Sequence, residues 1–207
     1  MLEPVHKQVI HDLDAFFEYP VERIEVLLFP TLKFTSMILK DNSLIDPTLA
    51  IMMKKMGIIG SFYINSHDVI AVNEVEIRRS DSIVDEEDNV TAEANKDDLY
   101  ETIAHEYFHA IFHRDYFDRI KSILGSKSLS KGIKDSYLKG VNEAFAYWAS
   151  ESLTTRDLFS KADLEAYEGN AYAMVKFYNL FKDSERKHGK SYVLNNLVSL
   201  VGENCEI

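Results

Sequence analysis

The sequence predicts an α+β fold: a small antiparallel or mixed sheet carrying a helix with a candidate site, followed by a mainly helical lobe. Three observations predict it. Two β-rich runs flank a short turn between Gly57 and Ile77, and after Asp97 nearly every segment reads as helix. At 207 residues with 46% hydrophobic content, the chain can bury a core. One domain over 1–207 is therefore expected, with residues 1–95 as an α/β lobe and 96–207 as a helical lobe around a cleft.

The elements follow in order. Residues 3–18 read as a helix, and Glu22 to Phe29 alternates into a strand. Thr31 to Leu39 is expected to be a second strand, and Pro47 to Met56 a short helix. The runs around Asn65-Ser66-His67-Asp68 make a hairpin. Ser80 to Asp98 holds eight acids and one lysine, the composition of a solvated loop placed to act as a flap over a cleft. A helix through residues 105–109 comes next, entered by the acids Asp97 and Asp98. Further helices are expected from about 115, around residue 143, over 162–186 and over 190–201.

The chemistry concentrates in His105-Glu106-Tyr107-Phe108-His109. Histidines four apart on a helix share one face, so both imidazoles can bind one Zn²⁺. Glu106 between them is not a ligand. It is placed to take a proton from a water activated by the metal, which is the mechanism of the H-E-x-x-H motif. A catalytic zinc needs one more protein ligand, whereas a structural one needs two. With Cys205 the sole cysteine, a cysteine-rich site is excluded. The extended H-E-x-x-H-x-x-G-x-x-H pattern also fails, because Phe112 and Tyr116 occupy its last two fixed positions. A downstream carboxylate remains, and Glu143 in Val141-Asn142-Glu143-Ala144-Phe145-Ala146-Tyr147-Trp148 is the strongest candidate, since a carboxylate among apolar neighbours requires a partner. His113 continues the stripe but lies about 6 Å further along the axis, too far to complete a compact tetrahedron. It reads as a residue at the helix C-terminus favoured by the dipole. His67 reads as a turn residue, and His6 and His11 carry no sign of a role.

These residues resemble the gluzincins, zinc metallopeptidases with H-E-x-x-H on one helix and a glutamate ligand on the next. Asn142-Glu143-Ala144 is similar to the ligand segment of the thermolysin-like branch, and Asn142-Glu143-Ala144-Phe145-Ala146 to the N-E-G-F-A segment of the aminopeptidase branch. The resemblance covers about residues 58–180 and is strong only at the two helical motifs. It implies a zincin-like fold, a zinc cofactor with His105, His109 and Glu143 as ligands, and Glu106 as general base. The separation of the two motifs exceeds that in either branch, which implies an inserted excursion from Asp115 to Lys139. An Asp four residues after the ligand glutamate supports a zinc histidine in the thermolysin-like branch; Tyr147 stands there in this chain, leaving Asn142 and Tyr147 as candidates for that support.

The resemblance also implies a tyrosine that stabilises charge on the carbonyl oxygen during hydrolysis. Tyr167 in Ala166-Tyr167-Glu168-Gly169 is the first candidate, with Tyr172 and His188 as alternatives. It further implies an exposed edge on the last hairpin strand, where a peptide would add itself as another strand against Ile70, Ala71, Val72 and Asn73 and reach as far as Glu74. The aminopeptidase hallmark G-x-M-E-N is missing, since the strand reads Ala71-Val72-Asn73-Glu74, and this leans towards endopeptidase action.

A formal charge of −11 argues against nucleic acid as a partner. No membrane-spanning run and no signal pattern are evident, so a cytoplasmic location is the expectation, while the resemblance implies a peptide or protein substrate. Two rival readings stand beside the peptidase: a catalytically inactive, peptidase-derived protein that binds zinc or peptide, and a metal-free helical binding protein with a chance motif. The retained Glu106 speaks against the first, because a binding module has no use for the base.

Overall fold

Helix α1, Leu2–Phe17, follows from an apolar stripe: Val5, Val9, Leu13 and Phe16 recur at helical spacing and are buried together. It stops where Glu18 adopts a left-handed backbone, with φ of 63°. The Val21 N–H then donates to Asp14 Oδ1 and closes the end. The computed structural model describes residues 2–29, 61–65, 68–73, 92–154 and 171–205. The expected strand at 31–39, the helix at 47–56, most of the acidic segment (80–91) and residues 162–170 lie outside the described residues.

Among the described residues three strands form one mixed sheet: β1 (Glu25–Phe29), β2 (Ser61–Ile64) and β3 (Val69–Asn73). Their order is β1-β3-β2, with β1 parallel to β3 and β2 antiparallel to it. Asp68 takes φ of 51° in the hairpin turn, a conformation its short polar side chain tolerates, and Tyr63 Oη donates to Asp68 Oδ1 across it. Ile70, Ala71 and Val72 are all buried, so β3 is covered on both faces as well as paired on both sides.

Helix α2, Ala92–Asp115, carries the H-E-x-x-H residues. It begins upstream of Asp97-Asp98, so the acids expected to open the helix fall in its second turn instead. Among the described residues four helices follow: α3 (Phe117–Ser126), α4 (Lys131–Thr154), α5 (Ala171–His188) and α6 (Lys190–Glu203). Residues 115–139, expected as an inserted excursion, comprise the last residue of α2, α3, short links and the opening turns of α4. Left-handed Gly189, at φ 87°, ends α5, and its N–H closes back on Glu185 O at 2.7 Å.

The architecture is α+β, mostly helical with a small mixed sheet. By packing, the chain divides into two compact units, Met1–Tyr107 and Phe108–Ile207, so the division falls within α2 rather than between residues 95 and 96. Hydrogen bonds show why the first part of α2 belongs with the N-terminal elements. The Tyr107 hydroxyl donates to Ile24 O (3.1 Å), accepts the Ile24 N–H (3.0 Å) and lies 2.7 Å from His6 Nε2. Tyr100 Oη donates to Asp12 Oδ2.

The second unit has an aromatic core in which Phe108, Phe112, Phe145, Trp148, Phe177 and Phe181 are fully buried. Phe145 is ringed by Phe108, Phe112, Tyr116 and Trp148 at centroid distances of 5.5–6.0 Å. Two polar clusters join α4 and α5: Trp148 Nε1 donates to Glu185, and buried Glu151 accepts from Lys182 and Tyr178. Among the described residues no helix is long and apolar enough to cross a membrane.

Candidate metal centre

His105 and His109 stand one turn apart on α2, and Glu143 comes from α4. One ligand atom from each of the three lies within 4.8 Å of the others, and this is the group among the described residues able to hold a metal ion. His109 is buried, while the Glu143 side chain is 37% exposed.

The adjacent residue on α4 fixes the chemistry of His109. Its Nδ1 lies 3.0 Å from Asn142 Oδ1, both groups being buried. An amide oxygen can only accept, so Nδ1 carries the proton and Nε2 offers its lone pair. That Nε2 is 3.6 Å from Glu143 Oε2. Two ligands at about 2.1 Å from a tetrahedral zinc would sit about 3.4 Å apart, so the observed spacing matches. Two imidazoles and one carboxylate make the donor set of a catalytic zinc. Of the two residues expected to support a histidine, Asn142 does so; Tyr147 lies half-buried on the same helix.

Glu106 is buried at 7% exposure, and both carboxylate oxygens are engaged. Oε1 accepts from Ser61 Oγ at 2.7 Å and Oε2 from the Tyr63 N–H at 2.8 Å. Both donors belong to β2, and nothing in the spacing of the sequence singled out Ser61.

The remaining expectations divide. The substrate strand is corrected: β3 is the central strand, and Ile70, Ala71, Val72 and Asn73 pair with β1 on one side while Ile70 to Val72 pair with β2 on the other. With its backbone groups already used and its faces buried, β3 cannot accept a further strand; Glu74 lies outside the described residues. Tyr167 and His67 also lie outside them. Tyr172 is 65% exposed on α5, and His188 is exposed, 4.5 Å from the Tyr192 ring. His113 stacks on Phe117 at 4.7 Å and is not part of the ligand group. Burial above all, with the nearby His109 adding, pushes its pKa down to about 4. His6, without an expected role, binds the Tyr107 hydroxyl.

Compared with known proteins, the chain matches no family model, no curated protein and no solved structure.

Proposed function

We propose that this protein is a zinc-dependent metallopeptidase of gluzincin type with a zincin-like fold. The observation that carries this reading is the convergence of His105, His109 and Glu143 in a zinc-sized group, with Asn142 setting the His109 tautomer. Zinc held there would act as a Lewis acid on water and on a peptide carbonyl. The chain's own residues would do the rest. Glu106, next to His105 on α2, takes the proton from the attacking water and delivers it to the leaving amine. Asn142 keeps the His109 ring oriented throughout. The substrate is an extended peptide or a protein.

The deciding experiment is elemental analysis of the wild type and Glu143→Ala, joined to cleavage of a mixed peptide library by the wild type and Glu106→Ala. About one zinc per chain, weakened in Glu143→Ala, with cleavage lost but zinc kept in Glu106→Ala, is the expected result. Zinc without cleavage would favour an inactive, peptidase-derived binding protein. A metal-free wild type would leave the motif as coincidence.

A further inference from the structure

We infer that Ser61 is a positioning residue for Glu106: its hydroxyl and the Tyr63 amide clamp the carboxylate of the general base in one orientation. The inference rests on the peptidase reading.

One donor is the Ser61 side chain and the other the main-chain N–H of Tyr63, two residues further along β2. Each takes a different oxygen, Ser61 Oγ at 2.7 Å and Tyr63 N at 2.8 Å, so the plane of the carboxylate is held as well as its position. A glutamate otherwise has three rotatable side-chain bonds, and ordering it at each turnover would cost entropy that this clamp removes on folding. The clamp leaves the base competent. A carboxylate has about four lone-pair sites, and two donors leave the others open to a proton. One clamp member is a backbone amide that no side-chain change removes, so Ser61 is the adjustable half. Its neighbours in the strand, Tyr63 and Ile64, are buried core residues, whereas Ser61 is half-buried and places its hydroxyl on Glu106.

Two readouts test the clamp, one independent of activity. In metal-free protein labelled with ¹³C at glutamate carboxyls, the Glu106 signal is identified by its absence from Glu106→Gln. Ser61→Ala should move that signal and Ser61→Thr should return it towards the wild-type position. In the zinc-loaded protein, with a peptide selected from the library, Ser61→Ala should lower kcat roughly 10–100-fold while KM and zinc content stay near wild type, and Ser61→Thr should recover most of the loss. A Glu106 signal unmoved by Ser61→Ala would overturn the inference, and so would a moved signal with unchanged kcat. Loss in KM alone would overturn it too. A wild type without zinc or cleavage would overturn the peptidase reading and take the positioning role with it.

Discussion

His109 Nδ1 lies 3.0 Å from Asn142 Oδ1, which leaves Nε2 facing the Glu143 carboxylate 3.6 Å away. Neighbouring residues of α4 thus do two jobs, one supplying a candidate ligand and the other aiming its partner. Asn142→Ala should weaken zinc binding about 10–100-fold, the usual cost of losing a group that orients a metal histidine. Competition with a chelator of known affinity measures this directly. Asn142→Asp should bind better than Asn142→Ala, because a carboxylate oxygen still accepts from Nδ1–H.

Tyr107, one of the two variable positions of the motif, has a structural role. Its hydroxyl satisfies both the N–H and the carbonyl of Ile24 in a buried setting. Tyr107→Phe should cost about 1–3 kcal/mol, because both backbone groups lose their partner. Urea denaturation of the metal-free protein checks it, with the midpoint falling at an unchanged m-value.

Acid should destabilise the metal-free protein through its partly buried histidines. His113 titrates at about 4 in the fold, through burial first and the neighbouring His109 second. His6 is also lowered, by burial and then by Arg23. Unfolded histidine titrates at about 6.5, so the unfolded chain gains these protons first as pH falls. Stability from the His113 site is complete above about pH 6.5 and is lost progressively down to about pH 4, by on the order of 2 kcal/mol after allowing for partial solvent screening. Urea melts at several pH values measure the slope, and His113→Gln should flatten it.

At Gly140, α4 packs close against the first turn of α5. A Cβ there would sit 2.7 Å from Ala173 Cβ and 2.9 Å from the Met174 backbone nitrogen, neither of which can swing aside. Alanine gains about 1 kcal/mol of helix propensity over glycine, but overpacking costs about 1–3 kcal/mol and also disturbs the part-buried Trp148–Glu185 and Glu151–Lys182 pairs between the helices. Gly140→Ala should therefore lower the thermal midpoint, whereas Gly132→Ala, with nothing within 4 Å, should not.

The sequence by itself determined the features that depend on near neighbours. Apolar spacing placed α1, β1, the hairpin and α6 within a few residues, and the i, i+4 histidines with Glu106 marked the candidate site before any fold was known. Glu143 stood out in one short segment, while Asn142 was one of two candidates, with Tyr147, for supporting a histidine. Where α2 begins was not legible, since the acids at 97–98 resemble a first turn although the helix is already under way at Ala92. Strand order was decided only in three dimensions. Alternation along Val69–Asn73 reports which residues are apolar but not how many neighbours the strand has, so an expected edge became the centre of the sheet. The Ser61–Glu106 and His6–Tyr107 bonds join residues far apart in the chain, and no local period encodes such pairs. Periodicity records which face of an element is buried; pairing between distant segments records what it is buried against.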